Sequence, residues 1–281
     1  MPELPEVESI KLQLERYLIG HKIEGVEVKY NNFEGDKNKL VGGKVAGIRR
    51  FGKVISIDLD KDYSVVIHIK LTGQLIYRGP NLKNPPDLSK KVSGGAPGRH
   101  THVTFDLDKG GKLYYNDVRR FGWLKVVKTK DVESIGFIDK LGPEPLDGLT
   151  TQKFKEIVGS TRRTIKTLLM DQSKIGGVGN IYANDALNLS KIHPESPANS
   201  LTGEEAETLY EAIEKVLKEG LKRGGASELA FVTPDGSEGG YQKHFLAYGR
   251  DGEKCKNCGG VIIKTTVGGR GTYFCPKCQK K

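Results

Sequence analysis

Apolar residues recur at helical spacing at the start of the chain and at near-alternate positions soon after. Leu4, Val7, Ile10, Leu14, Tyr17 and Leu18 would line one face of a helix over residues 3–19, which Gly20 ends. Pro5 falls in its first turn, where a missing N–H loses no helical hydrogen bond. From about residue 22 to 128 the period shortens toward two. Strands are predicted over 22–29, 44–51, 54–60, 64–70, 74–78, 100–107, 112–117 and 122–127. Many short strands joined by glycine-containing turns predict a β-sandwich or barrel. Residues 79–99, rich in Pro, Gly and Lys, read as a mobile surface loop.

Beyond residue 130 the pattern turns helical, with Pro143 and Pro145 marking a linker over 131–149. Helices are predicted over 151–158, 164–170, 181–189 and 202–223. Thr202 and Glu205 have the spacing of a capping box for the last of these, and Gly224-Gly225 end it. Its stripe of Leu209, Ile213, Val216 and Leu217 is ordinary core. Residues 226–247 carry Gly236, Gly239 and Gly240 with little periodicity and read as a flexible loop. The resulting plan is a helix and β-sandwich over 1–130, the linker 131–149, a helical domain over 150–247 and a cysteine-rich end over 248–281.

Composition adds a partner class. The 281 residues hold 45 Lys and Arg against 35 Asp and Glu, a net charge of +10. Residues 251–281 alone carry +5, and they contain all four cysteines. A basic surface suits nucleic acid, although membranes and acidic proteins attract cations too. No apolar run approaches the roughly 18 residues of a membrane span. Glu3, Glu6 and Glu8 stand where a secretory signal would place basic residues. The expectation is a soluble, cytoplasmic protein with no membrane partner, and a monomer because no apolar helix face looks spare.

Cys255-x-x-Cys258 and Cys275-x-x-Cys278, 16 residues apart, fit the paired-knuckle spacing of a four-cysteine zinc site. Two disulfides and a redox dithiol are the rivals. An intracellular setting disfavours the first, and the duplicated motif the second. Val261–Ile263 and Thr272–Phe274 flank Gly268-Gly269 and read as a hairpin between the knuckles. A site of four cysteines leaves no open coordination position, so one Zn²⁺ here is structural. Four thiolates on the ion carry −2, so the segment stays basic at about +3.

The opening Met1-Pro2-Glu3-Leu4-Pro5-Glu6 has two readings. Removal of Met1, which a small second residue permits, would leave Pro2 as a free secondary amine. An α-amino group titrates near pH 7.7–8, so part of it is a neutral nucleophile at working pH. Attack on an aldehyde-like carbon would give an iminium ion, with Glu3 and Glu6 on one side of the first helical turn to manage protons. The plainer reading is that Pro and Glu simply start a helix well.

Several motifs together resolve the choice. Pro2-Glu3-Leu4-Pro5-Glu6-Val7-Glu8 resembles the start of bacterial formamidopyrimidine-DNA glycosylases. So do His68-Ile69-Lys70-Leu71-Thr72-Gly73, Asp117-Val118-Arg119-Arg120-Phe121-Gly122, Gly142-Pro143-Glu144-Pro145-Leu146 and Gly177-Val178-Gly179-Asn180-Ile181-Tyr182-Ala183. With the cysteine hairpin they fall in family order along the whole chain. The resemblance implies an α+β multidomain fold with an N-terminal helix and β-sandwich, a helix–two-turn–helix domain and a C-terminal zinc β-hairpin. It implies a bifunctional base-excision-repair glycosylase and abasic-site lyase on double-stranded DNA. An oxidised purine, 8-oxoguanine or a formamidopyrimidine opposite cytosine, would be flipped out before chemistry.

By the same resemblance, Pro2 would attack C1′ and form a Schiff base, with β- and δ-elimination following. Glu3 would serve base release and proton transfer, with Glu6 in support, and Lys53 would contact phosphate near the lesion. His68, Asn180 and Arg270 match DNA-binding positions, the last two holding phosphate, and Lys166 matches a basic residue near the lesion. Leu71, Arg119 and Phe121 match the three residues that fill the gap left by the flipped base. Phe121 would wedge between base pairs and Arg119 would bond the orphaned cytosine.

Three positions depart from the family pattern. Leu71 replaces a usual Met, and a stiffer apolar plug still fills space. Asp185 replaces a common Glu and would loosen the positioning of its neighbours. Leu229 replaces a frequently basic residue within 226–241, the loop expected to cover the lesion. Two other functions compete: an oxidised-pyrimidine glycosylase of the endonuclease VIII type, disfavoured by Leu4 and by Arg119–Phe121, and a non-catalytic DNA-binding zinc-hairpin protein.

Overall fold

The computed structural model describes residues 1–281, which form two compact units: 1–139 with 221–242, and 140–220 with 243–281. In chain order the first unit begins with α1 (Leu4–Leu18), β1 (Ile23–Val28), β2 (Phe33–Glu34), β3 (Val45–Phe51), β4 (Val54–Leu59) and β5 (Tyr63–His68). β6 (Gly73–Arg78), β7 (Thr101–Leu107), β8 (Lys112–Asp117), β9 (Trp123–Lys128) and the short α2 (Gly136–Asp139) complete its first stretch. The strands make one sheet of order β1-β7-β8-β6 and another of order β2-β9-β5-β4-β3. Alternate residues of both enter one core: Phe105, Leu113, Tyr115, Leu75 and Tyr77 from the first, Ile48, Ile55, Ile57, Val65, Ile67 and Leu124 from the second. Val7, Ile10, Leu14 and Leu18, the predicted apolar stripe, pack α1 onto it.

Every residue of β4 is buried, because the second sheet is covered on its outer side as well. Val132 and Ile138 pack there against Val54 and Val66. Residues 131–139, expected as linker, therefore belong to the sandwich, and the two-residue β2 is an edge strand too short for a periodic signal.

The loop 79–99 and residues 226–242 of the loop expected over 226–247 are built into the first unit. Residues 79–99 give Leu88, Val92 and Ala96 to a small cluster with Ile76 of β6 and Val232. Residues 221–242 group with this unit rather than with the helical domain to which the sequence assigned them. The Gln74 amide donates to Ala230 O at 2.6 Å, Tyr77 N–H donates to Pro234 O at 2.8 Å, and Phe231 enters the main core.

The second unit holds α3 (Thr151–Gly159), α4 (Ile165–Leu169), α5 (Asn180–Leu189), most of α6 (Gly203–Lys222), and the hairpin of β10 (Ile263–Val267) and β11 (Arg270–Phe274). The predicted capping box starts α6: Thr202 N–H donates to Glu205 Oε2 at 2.8 Å, and Glu205 N–H to Thr202 Oγ1 at 3.1 Å. Gln172 braces the turns between α4 and α5. Its amide nitrogen donates to Met170 O and Val178 O, and its oxygen accepts from Gly177 N–H. No helix is long and apolar enough to cross a membrane.

Candidate active site and nucleic-acid contacts

The N-terminal cluster lies in the first unit. Pro2 is buried, while Met1 before it is 43% exposed. Glu3 caps α1, and both Glu3 and Glu6 are buried. Glu3 N–H donates to Glu6 Oε2 at 2.7 Å, and Ala226 N–H donates to Glu6 Oε1 at 2.7 Å. The Glu6 carboxylate thus holds the helix start with one oxygen and the head of the 226–241 segment with the other. Two charge-assisted bonds compensate its burial. Lys53 occupies the Gly52-Lys53 turn between β3 and β4 and is buried there, not solvated as a lone strand-end lysine would be.

His68 ends β5, edge-on to Trp123 and 5.2 Å between centroids from Phe137. Burial first, then the charges of Lys70 and Lys53, lower its pKa from 6.5 to about 3. It is therefore neutral at physiological pH. Its Nδ1 accepts from Lys70 N–H at 3.2 Å, which leaves the proton of the neutral ring on Nε2.

Leu71 lies half-buried in the β5–β6 turn, and Arg119 and Phe121 lie in the β8–β9 turn. Phe121 is 51% exposed, with the Arg119 guanidinium 4.6 Å from its ring centroid. An exposed aromatic stacked under a cation is suited to stacking with bases. Leu229, at 61% exposure, is the most exposed large apolar residue of the 226–241 segment.

In the second unit, Asn180 is the first residue of α5 and Gly179 takes the cap position, so Asn180 does not cap the helix itself. Its amide donates to Gly271 O at 3.1 Å, tying α5 to the hairpin. Asn184 adds a second tie by accepting from Tyr273 N–H at 2.8 Å. Arg270 is exposed and opens β11 directly after the Gly268-Gly269 turn. Lys166, expected near the lesion, is completely buried. Its amine donates to Gly271 O at 2.9 Å and Thr272 Oγ1 at 2.6 Å, so it supports the hairpin. Nor does Asp185 look loose: it is fully buried, and Oδ1 accepts from Ala247 N–H at 2.9 Å and Tyr248 N–H at 3.0 Å.

The four cysteine sulfurs lie within 4.8 Å of one another and form no disulfide. Cys255 and Cys278 are 3.9 Å apart, and Cys258 and Cys275 3.5 Å. Tetrahedral zinc with Zn–S of about 2.3 Å spaces its sulfurs by about 3.8 Å. The donor set therefore fits a zinc ion, with all four thiolates as ligands. Asn188 joins this end to α5 by donating to Gln279 Oε1 at 2.9 Å.

Three family models match the chain: the formamidopyrimidine-DNA glycosylase N-terminal domain over residues 1–124, the H2TH domain of the same glycosylase over 141–231, and the zinc finger found in FPG and IleRS over 252–281. The chain belongs to the formamidopyrimidine-DNA glycosylase family. The formamidopyrimidine-DNA glycosylase of Pelotomaculum thermopropionicum is 38% identical over 287 residues, covering 100% of this chain and 99% of the relative. The MutM (Fpg) structure from Thermus thermophilus superposes with a TM-score of 0.87 at 34% identity, over 100% of this chain and 99% of that one. The wild-type Lactococcus lactis Fpg, in complex with N7-benzyl-Fapy-dG containing DNA, gives a TM-score of 0.86 at 33% identity and full coverage of both chains.

As a formamidopyrimidine-DNA glycosylase family member, the chain is a DNA glycosylase of base-excision repair, with a helix–two-turn–helix domain and a zinc finger. The sequence did not single out Ala226, whose backbone N–H contacts Glu6. Nor did it single out Thr72 and the side chain of Asp117, which sit beneath the turns carrying Leu71 and Phe121. Ala226 and Thr72 had no signal, because a backbone amide and a turn hydroxyl look the same in any loop. Asp117 had one: an acid after two tyrosines at the end of an apolar strand.

Proposed function

We propose that this glycosylase is bifunctional, removing oxidised purines, 8-oxoguanine and formamidopyrimidines, and then cutting the abasic strand as a lyase. The observation that carries the reading is the buried Pro2-Glu3 pair, with Glu6 fixed against Glu3 N–H at 2.7 Å. With Met1 removed, the Pro2 nitrogen bonds to C1′ as the glycosidic bond breaks. That bond's electron pair leaves with the base, which takes up a proton. Loss of the Pro2 N–H proton, with opening of C1′–O4′ and protonation of O4′, gives the iminium ion. The iminium acidifies C2′, so loss of a C2′ proton expels the 3′ phosphate. Loss of a C4′ proton then expels the 5′ phosphate. Glu3 carries protons in these steps, while Glu6, with an oxygen committed to each of two backbone donors, orients.

On the DNA side, Lys53, neutral His68, Asn180 and Arg270 hold phosphates. Phe121 and Leu71 fill the vacated stack, and Arg119 bonds the unpaired cytosine. One structural zinc on Cys255, Cys258, Cys275 and Cys278 shapes the hairpin that presents Arg270. Similarity to the Lactococcus lactis protein, seen with N7-benzyl-Fapy-dG containing DNA, supports the purine class, although the same protein is also seen with an oxidized pyrimidine containing DNA.

Borohydride trapping tests the whole reading. A duplex with one 8-oxoguanine opposite cytosine should give a covalent adduct that maps to Pro2. A form retaining Met1 should bind the duplex and trap nothing. Trapping confined to a matched duplex with an oxidised pyrimidine would keep the chemistry and overturn the substrate. Duplex binding without an adduct on either would leave a DNA-binding protein.

A further inference from the structure

Asp117, the last residue of β8, is completely buried, and its carboxylate gathers donors from segments far apart in the chain. The Thr72 hydroxyl donates to Oδ1 at 2.5 Å. Gly122 N–H donates to Oδ2 at 2.9 Å and the Tyr115 hydroxyl at 3.3 Å, while the single Tyr30 hydroxyl proton is shared between Oδ2 at 3.0 Å and Gly122 O at 2.8 Å. A buried carboxylate is tolerated when donors surround it in this way. Burial first and then Asp117's charge push the Tyr30 phenol up to about 12, and the Tyr115 phenol is raised by the same two causes. Both stay protonated donors at physiological pH.

The network joins two turns. Thr72 Oγ1, while donating to Asp117, accepts from Arg119 N–H at 2.9 Å, linking the Leu71 turn to the Arg119 turn directly. The Asn32 amide holds the other side of that turn, donating to Arg120 O at 2.9 Å and Gly122 O at 3.1 Å. Tyr115 Oη lies under both: a Cβ at Gly122 would sit 1.9 Å from it, and one at Gly73 2.9 Å. Neither glycine tolerates a side chain without moving the tyrosine. An exposed phenylalanine on a loose turn would fold onto the nearest apolar surface. Phe121 instead stands on a turn bonded from beneath at several points.

We infer that Asp117 is a positioning residue which, through Thr72, Gly122 and the two phenols, locks the Leu71 turn and the Arg119–Phe121 turn into one rigid wedge, so that base-gap filling and reading of the opposite base act together. This rests on the proposed roles of Leu71, Arg119 and Phe121.

The test uses the full-length protein and Thr72→Val, which keeps side-chain shape but removes the bridging hydroxyl, with Thr72→Ser as the conservative variant and Asp117→Asn as a second break. Three readouts are needed: excision of 8-oxoguanine opposite cytosine against opposite adenine, 2-aminopurine fluorescence beside the lesion, and borohydride trapping on a duplex with a preformed abasic site. Misplacement of a positioned group by about 1 Å can cost as much as 10²-fold, so Thr72→Val should lower the cytosine-to-adenine ratio about tenfold. The fluorescence rise should fall with it, abasic-site trapping should persist, and Thr72→Ser should restore the ratio. Asp117→Asn should lower the ratio likewise, which keeps the test open if Thr72→Val folds poorly by thermal melting. A parent-like ratio in both Thr72→Val and Asp117→Asn, while Phe121→Ala loses the fluorescence rise, overturns the inference alone. Phe121→Ala matching the parent in all readouts overturns the wedge reading, and the inference with it.

Discussion

Ala226 donates its backbone N–H to Glu6 Oε1 at 2.7 Å across 220 residues of sequence, while Oε2 of the same carboxylate accepts from Glu3 N–H at 2.7 Å. One side chain therefore sets both the start of α1, where the proposed nucleophile sits, and the start of the segment expected to cover the lesion. Whatever disturbs that carboxylate should disturb both.

Glu6→Gln keeps the shape but turns an amide N–H₂ toward one of the two donors. Leaving a buried donor unmatched costs about 1–3 kcal/mol. The variant should melt lower and release 8-oxoguanine more slowly, and protease should cut within 226–241 faster. Gly225→Ala attacks the same joint from the other side. Gly225 has φ +84°, and an added Cβ would lie 2.8 Å from Glu6 Cγ. It should lose more than about 1 kcal/mol and show the same protease sensitivity. Parent-like proteolysis in both variants would show that Glu6 does not fix the segment.

His68 gives a pH prediction of definite sign. Its folded pKa is lowered to about 3 by burial, then by Lys70 and Lys53, from an unfolded value of 6.5. The unfolded chain therefore binds the proton first as pH falls. Stability contributed by the neutral ring is fully present above pH 6.5 and is lost between 6.5 and 3. Against His68→Gln, the parent should lose stability more steeply across that window, by up to about 1.4 kcal/mol per pH unit. Chemical denaturation at pH 7, 6, 5 and 4.5 measures it, and parallel curves would refute the assignment.

The zinc site makes a prediction about location. Metal binding to four thiolates contributes directly to folding of a small hairpin. Chelation, or Cys275→Ser, should abolish the hairpin's protection from hydrogen exchange and weaken duplex binding strongly. Protection in β4 and β5, buried in the sandwich core, should change little. Loss of protection in both places at once would mean the units do not unfold separately.

What the sequence showed, and what it hid, divides by the range of the interaction. The α1 stripe, the α6 capping box and the Cys-x-x-Cys pairs are local patterns, and each is present as spaced: Thr202 with Glu205, and four sulfurs within 4.8 Å. Residues 226–241 looked unstructured because their order comes from Gln74, Tyr77 and Glu6, more than a hundred residues away, acting largely on backbone atoms. Backbone donors carry no mark of composition. Residues 131–139 were hidden by Pro143 and Pro145, which draw a linker prediction across a stretch whose Val132 and Ile138 are core. The chemistry was legible only through the family motifs, since Pro2 and Glu3 taken alone describe any good helix start.

Lys166 and Arg270 separate support from contact in the second unit. Both are cations next to the β10–β11 hairpin, yet Lys166 is fully buried on Gly271 O and Thr272 Oγ1 while Arg270 is exposed after the turn. A residue that neutralises a phosphate releases counterions, so its removal lowers the slope of log affinity against log salt by about 1. Arg270→Ala should therefore weaken duplex binding and flatten the slope by that amount. Lys166→Met keeps chain length and apolar stem but removes the amine that braces the hairpin backbone. It should weaken binding through a misplaced hairpin while leaving the salt slope at the parent value. Titrations of one duplex at four salt concentrations give both slopes. A flattened slope for Lys166→Met would put its amine on the DNA, the role the family resemblance implied for it.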